Sequence, residues 1–285
     1  MILNRHQLEI LINKLGQPKA TEVFNKIFHS YCKFLSSQDV KELYDDNFLT
    51  RLHTLELYMK INEEVRLSYI NKSTYEYLLS KNLNDSKILD IGCGAGDLLF
   101  AIAKTNKAFN AVGIDFSSDA IEAAKRKKNN LNVLNCNFYN CDVSDLESKE
   151  TFNYIILNDV TEHISDLELT DLFKGIKKVM SADSIIIIHT PNGFALCNDT
   201  SFSFLQSIRK RIKILLGGGV KGIEKDVEGM YYAQVHINIK TYKELKLFLK
   251  NLGFVSKVKY DDPFPLNFLS YLFSSNMLVI AKRKH

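Results

Sequence analysis

A glycine-rich turn between two apolar runs constrains this chain more than any other feature. The segment 87–97 reads KILDIGCGAGD, and the apolar run LLFAIA follows it at 98–103. Aliphatic and β-branched residues favour a buried strand, and glycines at alternate positions allow a tight turn that brings backbone N–H groups close to a ligand. The segment therefore predicts a strand, a ligand-binding turn and a helix, with the ligand at the carboxyl end of the strand.

An acidic residue ends the next predicted strand at the distance expected for a nucleoside site. The segment 111–117 reads AVGIDFS, and Asp115 lies about 20 residues past the turn, where a carboxylate can bind ribose hydroxyls. Asp97 stands where a dinucleotide-binding turn has its third glycine, which disfavours close packing against a pyrophosphate. The pattern favours an adenosine-containing cofactor without phosphates over NAD.

Four motifs, taken in order, resemble those of class I S-adenosylmethionine-dependent methyltransferases. They are ILDIGCGAGD at 88–97, VGIDFS at 112–117, NCDV at 140–143 and FNYIILNDVTEHI at 152–164. The last stretch is similar to that of quinone-biosynthesis and related small-molecule O-methyltransferases, which carry a Glu-His pair after the fourth strand. The resemblance extends from about residue 87 to the C-terminus and implies S-adenosylmethionine as the cofactor.

The resemblance also implies a set of cofactor-binding residues. Asp90 and the turn would hold the aminoacyl end of the cofactor, Asp115 its ribose and Phe116 its adenine face. Asp142 would accept the adenine amino proton. The complete expected set is Asp90, Gly92, Cys93, Gly94, Asp115, Phe116, Asp142, Val143 and Asn158.

The predicted catalytic residues, Asp159, Glu162 and His163, follow the fourth strand. Histidine is the commonest general base near neutral pH, so His163 is suited to deprotonate an oxygen nucleophile. In the enzymes that this stretch resembles, a Glu-His pair serves as a base or as part of a metal site. A metal site needs a further acid or histidine, which the sequence does not place, so we predict no metal.

Structural roles compete with several of these assignments. Asp97 and Asp142 are both suited to cap a turn or helix, and Cys93 is suited to simple burial. His163 is suited to cap the following helix, and Glu162 to be a solvated charge at its N-terminus.

Three further residues, His189, Asn192 and His236, are expected to face the substrate. The sequence TPN at 190–192 and the sequence HIN at 236–238 resemble motifs of the same family at the mouth of the substrate pocket. Tyr69 precedes the first strand, where the chain of similar enzymes crosses the cofactor mouth. Ordinary structural roles and core packing are the alternatives for these side chains.

From residue 87 the chain alternates between predicted strands and helices, which indicates an α/β fold with a doubly wound, mostly parallel, seven-stranded Rossmann-like sheet. The last two strands have no helix between them and should pair antiparallel. The resemblance implies that the seventh strand inserts between its neighbours. Strands are expected at 87–91, 110–115, 132–138, 153–158, 184–189, 254–262 and 276–283, and helices at 97–107, 118–128, near 144–150, 167–180 and 241–252.

Two segments lie outside this alternation. Residues 1–84 show helical apolar spacing and are predicted to form a lid or a homodimerisation region beside a catalytic domain at 85–285. An insertion at about 193–240 is far longer than an ordinary connection and predicts a lid that determines the substrate. Its segment 203–216 is expected to be a basic amphipathic helix that binds a phosphate of the acceptor, contacts anionic lipid weakly, or simply has a solvated face.

Composition excludes several classes of protein. The chain is 46% hydrophobic and 25% charged, as in ordinary globular proteins, and its net charge of +4 is too small to indicate a nucleic-acid partner. No apolar run approaches the roughly 20 residues that span a bilayer. Its five cysteines form no CxxC pair, which argues against a disulfide framework and a zinc site. A cytoplasmic protein is the expectation.

We therefore expect a methyltransferase that acts on a small or carrier-linked biosynthetic intermediate. O-methylation is favoured, and a sugar or polysaccharide building block is the expected acceptor. An N-methyltransferase on a small amine is an alternative, because an amine needs no strong base. A non-catalytic methyltransferase-like assembly subunit is another, although the intact cofactor motifs count against it.

Overall fold

The computed structural model describes residues 10, 13–14, 71–105, 109–146, 151–196, 236–261 and 274–284. The predictions for Tyr69, for the segment 203–216, and for most of residues 1–84 and of the insertion lie outside the described residues.

The described residues form a seven-stranded sheet in the order β3-β2-β1-β4-β5-β7-β6. Its first five strands are mutually parallel, and β7 runs antiparallel to both β5 and β6. The predicted sheet, including the insertion of β7 between its neighbours, is thereby confirmed. The strands are β1 (Lys87–Ile91), β2 (Asn110–Asp115), β3 (Cys136–Asn140), β4 (Phe152–Asn158), β5 (Met180–Pro191), β6 (Phe254–Tyr260) and β7 (Asn276–Arg283).

The strand order reverses between β1 and β4, and this reversal positions the ligand site. From β1 the chain moves outward through β2 and β3, and it then returns to the other side of β1 as β4. The connections that leave the carboxyl ends of β1 and β4 therefore diverge and open a crevice between them. The glycine turn follows β1, and the Asp159–His163 stretch follows β4.

Helices cover both faces of this sheet, as a doubly wound fold requires. Two of them begin with a reciprocal capping box, which Ser165 and Thr241 each form with the glutamate three residues later. The α-helices are α1 (Lys72–Leu79), α2 (Asp97–Thr105), α3 (Ser118–Leu131), α4 (Asp166–Lys178), α5 (Gly193–Leu196) and α6 (Tyr242–Asn251).

Alternate residues of the central strands pack into two separate apolar cores. The core under α4 and α6 includes Leu89, Ile155, Ile188, Phe173 and Leu249. The core under α1, α2 and α3 includes Ile88, Ile156, Leu78, Leu99 and Ile121. Because the parallel strands are buried on both faces, they read as continuous apolar runs.

The largest differences from the predicted elements lie at the third strand, the fifth strand and the helix near 144–150. The fifth strand was expected at 184–189 but spans Met180–Pro191. The third strand was expected at 132–138 but spans Cys136–Asn140, because α3 continues to Leu131 and ends at Asn132 in a left-handed conformation. The helix expected near 144–150 is, within the described residues, a single 3-10 turn at Val143–Asp145.

No helix in the described part of the chain is both long enough and apolar enough to cross a membrane.

Candidate active site

The turn after β1 needs its glycines for steric reasons. Gly92, Gly94 and Gly96 all have positive φ angles, of 71°, 52° and 76°, which disfavour residues with a Cβ atom. A Cβ atom on Gly92 would lie 2.5 Å from Cγ2 of Val160, and one on Gly96 would lie 2.7 Å from the ring of Phe138. The turn thus passes directly beside the segment that follows β4, at the predicted crevice.

Asp90 is a buried acid near the end of β1, just before this turn. The residue is only 2% exposed, and its Oδ1 atom has no hydrogen-bond partner among the described residues. Burial, together with the nearby charge of Asp115, raises the pKa of Asp90 to about 8. A buried carboxyl of this kind suits a cationic ligand group, because an ammonium would both pair with it and favour its ionised form.

Asp115 lies next to the turn, at the carboxyl end of β2. Its carboxylate accepts hydrogen bonds from the backbone N–H groups of Gly94 and Ser117, both at 2.9 Å. The next residue, Phe116, is 44% exposed. Asn140 donates to the carbonyl oxygens of Asp115 and Phe116 at 2.9 and 2.8 Å and so supports this corner from β3. Contact of the acid with ribose and of the exposed ring with adenine stays a prediction.

The other predicted cofactor residues have structural partners of their own. Asp142 caps the 3-10 turn through the N–H of Ser144 at 2.9 Å, and Val143 is buried. Burial, with smaller effects of nearby carboxylates, raises the pKa of Cys93 well above its usual range. Asn158 accepts a hydrogen bond from the Thr74 hydroxyl at 2.7 Å, which ties α1 to the end of β4. Their direct contact with the cofactor stays a prediction.

An ion pair behind the turn was missed by sequence reasoning. Nζ of Lys127 lies 2.7 Å from Oδ1 of Asp97, and the lysine side chain is only 7% exposed. The pair joins the C-terminal half of α3 to the first residue of α2 and so fixes the helix that follows the glycine turn. The spacing of Lys127 from the buried residues Ala120 and Ala124 on the same helix was the available signal.

The predicted catalytic pair, Glu162 and His163, lies beside His236, which comes from the C-terminal end of the insertion. Ligand atoms of Glu162, His163 and His236 all lie within 4.8 Å of one another, and the two imidazole rings are 4.8 Å apart between centroids. His236 was expected to face the substrate, and the structure places it against His163. The expectation of no metal rested on the lack of a third candidate ligand, and the fold brings His236 to that position.

Glu162 is the most constrained member of this cluster. It is fully buried, and Oε2 accepts a hydrogen bond from the Thr190 hydroxyl at 3.0 Å. The other oxygen, Oε1, has no hydrogen-bond partner within the described part of the chain. Burial and the charge of Asp159 raise the pKa of Glu162 to about 8. A buried carboxylate beside two imidazoles is a suitable donor set for a divalent transition-metal ion.

His189 is bound between two carboxylates. The residue is 3% exposed, with Nδ1 2.6 Å from Oδ1 of Asp159 and Nε2 3.0 Å from Oδ2 of Asp261. Burial opposes its charged form, but the hydrogen bonds to the two carboxylates outweigh burial and raise the pKa of His189 to about 10. Ser73 donates to the other oxygen of Asp261. The partner Asp261 was not anticipated from the sequence.

Asn192 is fully buried at the end of β5. Its side-chain amide donates to the carbonyl oxygen of Ser274 at 2.9 Å, and its backbone N–H donates to that of Ser275 at 2.8 Å. These bonds attach the end of β5 to the segment that enters β7. A substrate contact by Asn192 stays a prediction.

A seven-stranded Rossmann-like sheet, a glycine turn after an acid whose Oδ1 has no partner among the described residues, and an acid on the next strand together define the class of S-adenosylmethionine-dependent methyltransferases. The residues present fit this cofactor, since Asp90 offers an unpaired oxygen to its ammonium. Comparison with known families agrees: the methyltransferase domain family matches residues 82–245, more than half of the chain. The chain belongs to this methyltransferase domain family.

Curated relatives are methyltransferases with different acceptors. The chain is 31% identical over 172 residues to the ubiquinone biosynthesis O-methyltransferase of Rickettsia akari, an alignment that covers 57% of this chain and 65% of that protein. It is 27% identical over 129 residues to the malonyl-[acyl-carrier protein] O-methyltransferase of Bacillus anthracis, covering 45% and 46% of the two chains. The chain therefore spans less than two thirds of either relative.

Solved structures share the fold. The PH0226 protein of Pyrococcus horikoshii matches with a TM-score of 0.52 at 22% identity, over 79% of this chain and 93% of that one. The plantazolicin methyltransferase BpumL, solved in complex with a pentazolic desmethylPZN analogue and S-adenosylhomocysteine, matches with a TM-score of 0.52 at 20% identity, over 87% of this chain and all of that one.

Proposed function

We propose that this chain is an S-adenosylmethionine-dependent O-methyltransferase with a divalent-cation site formed by Glu162, His163 and His236. One observation carries the proposal: the buried Oε1 atom of Glu162 has no partner among the described residues, and a carboxylate oxygen of this residue lies within 4.8 Å of ligand atoms of both His163 and His236. An unpaired buried carboxylate is costly, so such an atom indicates that a proton or a cation belongs there.

The location of the cluster also supports transfer to an acceptor bound in the crevice. Val160, two residues before Glu162, contacts the position of a Cβ atom on Gly92 in the cofactor turn. The cofactor supplies an electrophilic methyl group, so the protein must align the acceptor with it and remove a proton from a hydroxyl. Asp90 and the turn orient the cofactor, while the Glu162 cluster is the group that can accept the acceptor's proton.

Two modes of proton removal are open to the same residues. A divalent cation at the cluster would lower the pKa of a nearby hydroxyl group. Without a cation, His163 can act as the general base, because it is half-buried and its imidazole adjoins a carboxyl group. Both modes serve an oxygen acceptor, whereas an amine acceptor needs neither.

The acceptor that we propose is a small or carrier-linked biosynthetic intermediate. The Rickettsia and Bacillus relatives are named for O-methylation in quinone synthesis and on a carrier-bound malonyl group. Against this, the Papaver bracteatum relative, 28% identical over 101 residues and covering 35% of this chain and 28% of that protein, is named a probable N-methyltransferase. The sugar or polysaccharide acceptor expected from the sequence stays a prediction.

Methyl-labelled S-adenosylmethionine and a panel of phenol, carboxylate, sugar and amine acceptors test this proposal, with added Mn²⁺ or with a chelator. We expect label on an oxygen acceptor, dependence on the cation, and a loss of about 100-fold or more in Glu162→Gln and His163→Ala. Asp171→Asn, on the exposed face of α4, is the matched control. Label on amines alone, with His163→Ala fully active, would favour the N-methyltransferase.

A further inference from the structure

The chain returns from the insertion along the turn that carries Glu162 and His163, and Asn238 attaches it there. The backbone N–H of Asn238 donates to the carbonyl oxygen of Glu162 at 2.9 Å. Its side-chain amide donates to the carbonyl oxygen of Ile164 at 2.7 Å and to Oδ1 of Asp166 at 3.0 Å. A single residue thus makes three hydrogen bonds to the segment 162–166.

Lys240 strengthens the same attachment. Its Nζ atom lies 2.5 Å from Oδ1 of Asp166 and 2.6 Å from Oδ1 of Asn238, with the lysine side chain largely buried. The hydrogen bond from Lys240 lowers the pKa of Asp166 below its usual value, with a further contribution from Asn238. Lys240 therefore fixes both the orientation of the Asn238 amide and the acid that accepts from it.

The other end of the insertion meets this segment at Gly193. The Gly193 N–H donates to the carbonyl oxygen of Lys240 at 3.0 Å, and a Cβ atom on Gly193 would lie 2.7 Å from the Lys240 carbonyl carbon. Glycine is thus needed for this close approach. The segment 236–240 is held on one side by the turn after β4 and on the other by the start of α5.

We propose that Asn238 and Lys240 are positioning residues that hold His236 against Glu162 and His163. Only one residue separates His236 from Asn238, so attachment of Asn238 restricts where the imidazole can go. The consequence for cation binding rests on the proposed function, because it takes the three residues as ligands. Pre-positioned ligands bind more tightly, since less conformational freedom is lost on binding.

Mn²⁺ binding to the full chain, followed by the electron paramagnetic resonance signal of the free ion, tests the positioning role. Asn238→Ala and Lys240→Met should each weaken Mn²⁺ binding, by about tenfold for Asn238→Ala. Calorimetry should show that both variants retain wild-type affinity for S-adenosylhomocysteine. Lys240→Arg, which keeps the charge, should restore Mn²⁺ binding, and Lys174→Met, which removes an exposed ion pair on α4, should leave it unchanged.

A double variant separates positioning from general stability. If Asn238 acts through His236, the pair Asn238→Ala/His236→Ala should bind Mn²⁺ no more weakly than His236→Ala alone. Full additivity would overturn the proposal, as would equal losses of Mn²⁺ and S-adenosylhomocysteine binding in Asn238→Ala.

A metal-free measurement covers the case in which the wild type binds no Mn²⁺. That result would refute the proposed cation site. The claim that Asn238 positions His236 against His163 would then be tested by nuclear magnetic resonance on histidine-labelled protein. We expect a nuclear Overhauser effect between the ring protons of His163 and His236, and its loss in Asn238→Ala. Persistence of the effect in that variant would show that Asn238 does not position His236.

Discussion

His189 and Asp159 are joined twice, once through the side chains and once through the backbone. The two side chains meet at 2.6 Å, and the Asp159 N–H donates to the carbonyl oxygen of His189 at 2.9 Å. Asp159 has a φ of 52°, a left-handed conformation that aspartate adopts more readily than most residues with a Cβ atom. The double contact with β5 holds this residue in place and so sets the direction in which the chain leaves β4 towards Glu162.

The His189 contacts should give stability a characteristic dependence on pH. The pKa of His189 in the folded protein, about 10, lies above the roughly 6.5 of an unfolded histidine. The stabilisation is therefore complete below about pH 6.5 and is lost as the pH rises towards 10. Urea unfolding across this interval should show that the free-energy difference between wild type and His189→Asn shrinks with rising pH. A constant difference would contradict a charged imidazole.

Cofactor binding should release a proton from Asp90. The raised pKa of about 8 keeps Asp90 mostly protonated at neutral pH, and an ammonium beside it favours the carboxylate. We expect release of up to about one proton per S-adenosylhomocysteine near pH 7, measured by calorimetry in buffers of different ionisation enthalpy with a chelator present.

Two variants identify the source of that proton. Asp90→Asn should abolish the release and weaken binding about tenfold or more, because a hydrogen bond to a charged group is lost. Glu162→Gln should release as many protons as the wild type, since Glu162 belongs to the other cluster. Binding heats that do not vary with buffer would show that Asp90 does not meet the ammonium.

Gly92→Ala should destabilise the protein for two separate reasons. The positive φ of Gly92 disfavours alanine, and the new Cβ atom would meet Val160 at 2.5 Å. We expect a loss of about 2–4 kcal/mol in the free energy of unfolding. Gly253→Ala is the matched control, because Gly253 has a φ of 80° and nothing within 4 Å of the added atom. Equal losses in the two variants would show that the contact with Val160 is unimportant.

Breaking the ion pair between Lys127 and Asp97 should lower the free energy of unfolding more when the aspartate is removed than when the lysine is removed. Asp97→Ala leaves a buried ammonium without its partner and should cost about 3 kcal/mol. Lys127→Met keeps the apolar stem and leaves a carboxylate that water can reach, so it should cost less. Lys174→Met removes an exposed pair of the same length, 2.7 Å, and should cost less than about 1 kcal/mol. Urea unfolding of the three variants measures these differences.

The fold was predictable because its determinants are local. Apolar runs, glycine turns and short connections repeat regularly from residue 87, and these features indicate strands and helices without knowledge of their partners. The third strand shows the limit. Its predicted start at 132 fell on Asn132, which ends α3 in a left-handed conformation that no periodic pattern reveals.

Only the part of the candidate site whose residues are close in sequence could be predicted. Asp90, Asp115 and the glycine turn are close in sequence, and their spacing carries the signal. The meeting of His163 with His236 and of His189 with Asp261 depends on the order of β4, β5 and β6 in the sheet and on the return path of a long insertion. Such contacts are tertiary, so His236 and His189 were interpreted only as general substrate-facing residues.

The hydrogen bond between Gly193 and Lys240 bears on how proteins of this kind diversify. It joins Gly193, just after β5, to Lys240, just before α6. This contact keeps the end of β5 and the start of α6 together, whatever the number of residues between them. Doubling the length of a flexible loop costs only about 0.6 kcal/mol. A change in the number of residues between Gly193 and Lys240 is therefore expected to leave β5, α6 and the cofactor turn in place.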